Sequence, residues 1–159
     1  MYNQKEIIKI MFVCHGNICR SPMAEFIMKD LLAKNHLSDK FYVASSATST
    51  EEIYRGIGNP VYPPAKQELA RHGISCEGKR AVQFTKSDFD NYDYIIAMDG
   101  NNIRNIQRIV GINNSDKLYM LLDFCGGGNI ADPWYTGEFE TTYNDIYRGC
   151  IALLEKLKK

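Results

Sequence analysis

Nine consecutive residues carry the chemistry most readily read from this chain: Cys14-His15-Gly16-Asn17-Ile18-Cys19-Arg20-Ser21-Pro22. A cysteine, five intervening residues, an arginine and a serine suit an attack on a phosphate monoester. A loop wrapped ahead of a helix N-terminus aims backbone N–H groups inward and forms an anion nest. Gly16 permits the conformation that closes such a loop. Arg20 can grip two phosphate oxygens in parallel, a geometry that lysine lacks. The same positive field favours a thiolate at Cys14, and a thiolate inside a phosphate cradle is a nucleophile held against its target. Ser21 can hydrogen-bond that sulfur and help it leave. A Cys-x5-Arg pairing also arises by chance, and most isolated cysteines are core residues. Context separates the two readings: a functional loop needs a strand before it and a capped helix after it.

Both elements are predicted. Ile7 to Val13 is an apolar, β-branched run that reads as a buried strand ending at Cys14. From Ser21 the period changes, and Met23, Phe26, Ile27 and Leu31 fall on one helix face. Ser21 suits the cap, Pro22 the first helical position, and Glu25 the positive end of the helix dipole. Strand, tight loop and helix open a βαβ unit. Further strands are expected at Phe41 to Ala44, Tyr94 to Met98 and Leu118 to Leu122. Helices are expected near 65–72, stopped by Gly73, near 102–110, and at the C-terminus. There Tyr143, Ile146, Tyr147, Cys150, Ile151, Leu154 and Leu157 make an apolar stripe. The segments 45–64 and 123–139 read as loops. Alternating strands and helices give an α/β class with a parallel sheet and helices on both faces. Ligands of such sheets bind beyond the carboxyl ends of the strands, where strand order reverses, so the Cys14 loop belongs there.

Composition bounds the rest. A chain of 159 residues, 45% apolar and 24% charged, fits a single globular domain over residues 1–159. Lys plus Arg and Asp plus Glu are both 19, and that neutrality argues against nucleic acid or an anionic membrane as partner. No run reaches the roughly 18 apolar residues that span a bilayer. The N-terminal apolar run is broken by Lys9 and does not read as a signal peptide. The five cysteines show no metal-site or disulfide spacing, which points to reduced thiols and a cytoplasmic setting. An alkyl or tyrosyl oxygen leaves poorly unless protonated, so the chemistry also needs an acid. Several aspartates stay open for that role; Asp132 is marked by Pro133, which extends it on a long loop. Trp134 and Tyr135 follow it and suit either partial burial or one wall of a slot for a phenyl ring.

The stretch Cys14 to Pro22 resembles the signature of the low-molecular-weight protein tyrosine phosphatases, and the resemblance covers nearly the whole chain. Ser45 to Ser49, Gly58-Asn59-Pro60, Arg71-His72-Gly73-Ile74, Asp93-Tyr94-Ile95, Met98-Asp99 with Asn102, and Asp132-Pro133 occur in the family's order. The resemblance implies a four-stranded parallel sheet of order 2-1-3-4. It implies hydrolysis of phosphotyrosine in a protein or peptide, through a phosphocysteine on Cys14, with Arg20 on the phosphate and Asp132 as acid and then base. His15, Gly16, Asn17, Ile18, Cys19 and Ser21 would line the phosphate, and inorganic phosphate or another oxyanion would fit there. Neither metal nor organic cofactor is implied, and the oligomeric expectation is a monomer or weak dimer. Asn17, Ser21, Ser45 and His72 resemble the network that holds the loop; a helix-end histidine bonding local carbonyls is the alternative for His72. Cys19 resembles a redox partner thiol for Cys14, with an inert neighbouring thiol as the alternative. One departure stands out: Glu51 occupies a position where many members carry an aromatic, so either Tyr54 supplies that wall or the pocket is open and acidic-rimmed.

Three rivals have discriminating features. An arsenate reductase of the same fold needs further closely spaced redox cysteines, and after Cys19 the next are Cys76 and Cys125. A phosphoarginine phosphatase resembles members with Thr before the second loop cysteine, where this chain has Ile18. A phosphate-binding module without catalysis would lack a nucleophile or acid, yet Cys14, Arg20 and Asp132 are all present.

Overall fold

In the computed structural model, which describes residues 6–158, β1 (Ile8–Cys14) is apolar and buried from Ile10 onward because that stretch is covered on both faces. Ile10, Phe12 and Cys14 face one layer of helices, while Met11 and Val13 face another. The first layer is α1 (Arg20–Lys34), α2 (Pro63–Arg71) and α6 (Phe139–Leu157). The second is built mainly from α3 (Lys86–Asn91) and α4 (Gly100–Val110). Beside β1 lie β2 (Phe41–Ala47), β5 (Tyr94–Ala97) and β6 (Leu118–Met120), all parallel, in the order β2-β1-β5-β6. A separate antiparallel hairpin pairs β3 (Ile53–Tyr54) with β4 (Ile57–Gly58). Counting sheet strands alone gives 2-1-3-4, the expected order. The chain leaves β1 for β2 on one side and later reaches β5 on the other. The order therefore reverses around β1, and Cys14 sits at its carboxyl end. Among the described residues no helix is long and apolar enough to cross a membrane.

Several boundaries differ from the sequence reading, for physical reasons. β2 continues through Ser45 and Ser46 because both serines are buried and hydrogen-bonded, so their polarity does not end the strand. The segment 45–64 holds the β3–β4 hairpin, and α3 was not anticipated, although Thr85 and Asp88 form a capping box at its start. β6 ends at Met120, where a 3₁₀ turn over Leu121–Cys125 takes over. A short helix, α5 (Pro133–Thr136), follows Asp132. Ser21 is not the cap of α1: the helix starts at Arg20, and the Ser21 hydroxyl turns to Cys14 instead. Glu25 lies beyond the first turn and is buried among specific partners, away from the helix end. On α6, Tyr147 and Ile151 reach solvent, and Leu153 takes the buried place.

Gly58 shows how tightly the hairpin is seated. A Cβ there would stand 1.9 Å from the Ala81 carbonyl oxygen, and Ala81 N–H is bonded to Asn59 O at 2.9 Å. Neither backbone can retreat without breaking that contact. Gly58→Ala is expected to destabilise the protein by about 2–3 kcal/mol, seen as a lower melting temperature with increased proteolysis at 53–60. An unchanged melting temperature would mean that the hairpin is not fixed to Ala81.

Candidate active site

Cys14 Sγ sits at the focus of three groups. Asn17 N–H lies 3.3 Å away, Ser21 N–H 3.4 Å and Ser21 Oγ 3.0 Å. The direction of the hydroxyl contact follows from a neighbouring amide. Val82 N–H, which can only donate, meets Asn17 Oδ1 at 3.1 Å, so Asn17 Nδ2 is the donor end. That nitrogen donates to Ser21 Oγ at 2.7 Å and Ser45 Oγ at 3.0 Å. Each hydroxyl then sends its proton elsewhere: Ser45 to Glu25 Oε1 at 2.6 Å, and Ser21 to the sulfur at 3.0 Å, with Ser46 O a longer alternative acceptor at 3.5 Å. Three donors converge on the sulfur, an arrangement suited to an anion. Asn17 reaches this position with φ of 58°, a left-handed conformation that asparagine tolerates better than most residues.

Behind the loop, Glu25 is held by Lys29 at 2.5 Å and by Lys79 at 3.5 Å, and Lys79 also donates to Ser45 O at 2.9 Å. Burial pushes the Lys79 ammonium below its ordinary pKa, and Glu25 offsets part of that. Glu25 and Lys79 are network members that sequence reasoning missed. The only local signal was a glutamate between Ala24 and Phe26 on a buried helix face.

Arg20 is 3% exposed. One guanidinium nitrogen donates to Asp99 Oδ2 at 2.6 Å and Ile130 O at 2.9 Å, and the other lies 3.4 Å from Asp132 Oδ2. Burial opposes its charge, but Cys14, the Asp99 hydrogen bond and Asp132 together outweigh it and hold the pKa above the usual arginine range. Asp99, noted in the sequence as part of the resemblance but given no role there, uses its other oxygen to cap α4 through Asn102 N–H at 2.8 Å. The Asp99-x-x-Asn102 capping pattern was the available signal. Asp132 is extended, as the following proline requires, and its Oδ1 accepts from Trp134 N–H at 3.0 Å.

These groups share one cleft. Its floor is Cys14, His15, Gly16, Ile18, Cys19 and Arg20, and its walls are Glu51, Glu52, Asp132, Trp134 and Tyr135. Trp134 rests on Tyr62, ring centres 4.7 Å apart, and Tyr135 is 84% exposed at the mouth. Tyr54 does not line the cleft: it is 72% exposed, with Arg55 over its ring, and Glu51 and Glu52 occupy the wall in its place. Ser45 joins the loop network but His72 does not. Located at the end of α2, His72 stacks on Tyr143 at 3.7 Å and meets Glu68 at 3.2 Å, so it serves α2–α6 packing. Cys19 is buried, and burial followed by the Cys14 charge raises its pKa, which keeps it a thiol. Among the described residues no group of three or more His, Cys, Asp or Glu side chains is placed to hold a metal ion.

A family model described as low molecular weight phosphotyrosine protein phosphatase matches residues 9–159. The low molecular weight protein-tyrosine-phosphatase YfkJ of Bacillus subtilis is 41% identical over 156 residues, covering 96% of this chain and 97% of that protein. The low molecular weight phosphotyrosine protein phosphatase of Gallus gallus is 37% identical, covering 95% of this chain and 96% of that one. The crystal structure of B. subtilis YfkJ superposes with a TM-score of 0.91 at 39% identity, covering 98% of each chain.

Proposed function

The chain belongs to the low molecular weight phosphotyrosine protein phosphatase family, and from that premise we propose that it hydrolyses phosphotyrosine in peptides or proteins through a phosphocysteine on Cys14. The observation that carries this reading is the convergence of three donors on Cys14 Sγ beside the buried Arg20. A thiolate there attacks phosphorus in line as the P–O bond to the tyrosyl oxygen breaks. Asp132, neutral at that step, gives its proton to the departing oxygen. Water then attacks phosphorus as the S–P bond breaks, and Asp132, now a carboxylate, takes the water's proton. Sulfur leaves as a thiolate stabilised by the Ser21 hydroxyl, and inorganic phosphate is released. Arg20 and the loop N–H groups hold the equatorial oxygens, where charge is concentrated in the transition state.

Two features of the cleft fit a phenyl ring. Ile18 offers an apolar contact on the floor, and Trp134 and Tyr135 offer ring faces at the mouth. Turnover of phosphotyrosine peptides, with a phosphoenzyme trapped by acid quench, tests the reading. A faster reaction on phosphoarginine peptides, or arsenate reduction without phosphate release, would replace it with a rival. Arg20→Ala is expected to lower kcat by about 10³-fold and raise KM together, because the guanidinium binds the ground state and the transition state. Arg20→Lys is expected to recover only part of the loss, since lysine cannot bind two oxygens in parallel. A change confined to KM would assign Arg20 to binding alone.

A further inference from the structure

The walls of the cleft carry the opposite sign from its floor. Glu51 and Glu52 come from the segment between β2 and β3, and Asp132 from the loop before α5. Glu52 packs its stem against the loop, where a Cβ on Gly16 would stand 3.3 Å from Glu52 Cγ, and its carboxylate accepts from Asn59 Nδ2 at 2.9 Å. The Glu51 side chain is 68% exposed, and its carboxylate meets the His15 ring at 3.0 Å. The nearby guanidinium groups do not enter the cleft: Arg55 lies over the Tyr54 ring and Arg80 donates to Gly58 O. Arg20 is committed to the floor, through Asp99, Ile130 O and Asp132. A phosphate dianion therefore uses the positive field at the bottom, and whatever flanks the phosphorylated residue meets carboxylates. It also meets exposed rings, since Trp134 is 51% exposed and Tyr135 84% exposed at the same mouth. Carboxylates beside open aromatic faces make a surface for cations.

We propose that Glu51 and Glu52 set sequence preference, selecting phosphotyrosine peptides with lysine or arginine adjacent to the phosphotyrosine and disfavouring acidic neighbours. This rests on the phosphotyrosine reading above and adds the class of peptide to it. Rim charges of this kind act on encounter and on KM more than on the chemical step, and their effect falls with salt.

The test compares three phosphotyrosine peptides that differ only in neighbours, Lys, Gln or Glu on both sides, together with phenyl phosphate, which has none. The expected order of kcat/KM is Lys above Gln above Glu. The Lys-to-Glu ratio should be about tenfold at about 50 mM salt, shrinking to about twofold at about 300 mM. In the double variant Glu51→Gln/Glu52→Gln that ratio should fall to about one. In Glu52→Lys it should invert. Ratios taken within each variant cancel any general loss of activity. A flat order in the unaltered protein, or an order that survives the double variant, overturns the proposal. Phenyl phosphate separates this from failure of the underlying reading: without turnover of phenyl phosphate or any peptide, the phosphatase assignment itself falls.

Discussion

Replacing Cys14 with serine is expected to reduce kcat on phosphotyrosine by about 10⁵-fold while inorganic phosphate still binds within about threefold of the original affinity. The two effects separate because different atoms cause them. In the proposed reaction, binding comes from the loop N–H groups and Arg20, and Arg20 is held by Asp99 at 2.6 Å and Ile130 O at 2.9 Å, neither of which depends on the sulfur. In the same proposed reaction, attack comes from the sulfur at the end of β1. Among the described residues, the hydrogen-bond partners of that position are donors, the Ser21 hydroxyl and two N–H groups, which suit a sulfur anion and do not deprotonate a serine hydroxyl. Turnover and phosphate titration of the same preparation give both numbers. Residual turnover above about 1% would mean that another group attacks phosphorus.

Asp132→Asn is expected to cost about 10²–10³-fold in kcat/KM on phosphotyrosine but less than about tenfold on a substrate whose leaving group is an activated nitrophenol. Asparagine keeps an oxygen for Trp134 N–H, so the extended turn before α5 survives, and Arg20 keeps Asp99. What is lost is a transferable proton, and only a poor leaving group needs it. The comparison must use kcat/KM, which reports steps up to release of the phenol. kcat can be limited by hydrolysis of the phosphoenzyme, a step common to both substrates. That hydrolysis should also slow, since asparagine cannot take a proton from water, and rapid quench should show phosphoenzyme accumulating. Equal losses on both substrates would remove Asp132 from the acid's role.

The parts of this molecule legible in its sequence are those governed by local period and local sterics. Ile10 to Val13 is apolar on both sides because both sides are covered, and that run alone marks a central parallel strand. Cys14 to Arg20 follows it directly, so the loop's place at the sheet edge could be deduced. Asp132 could be singled out because Pro133 acts on its immediate neighbour. What stayed hidden depends on partners far along the chain. Asn17 meets Val82 across 65 residues, and Arg20 meets Asp99 across 79. No spacing rule joins such pairs. His72 and Lys79 are seven positions apart, and only the packed structure shows that Lys79 reaches Ser45 O while His72 stacks on Tyr143. Ser21 misled in an instructive way. Its type and position suit a helix cap, yet the sulfur competes for the same hydroxyl and wins. Tyr54 was a reasonable substitute for an absent aromatic wall, but the β3–β4 hairpin carries it outward beneath Arg55.

The Val82–Asn17 contact bears on protein engineering. Because that one amide fixes which end of Asn17 donates to Ser45 and Ser21, the nine-residue signature is not a portable cassette. Grafted onto another strand–helix junction, it would carry its thiol and guanidinium but not the polarity imposed from the far side. A faithful transplant would have to include a rigid backbone donor in the place of Val82 and a carboxylate in the place of Glu25.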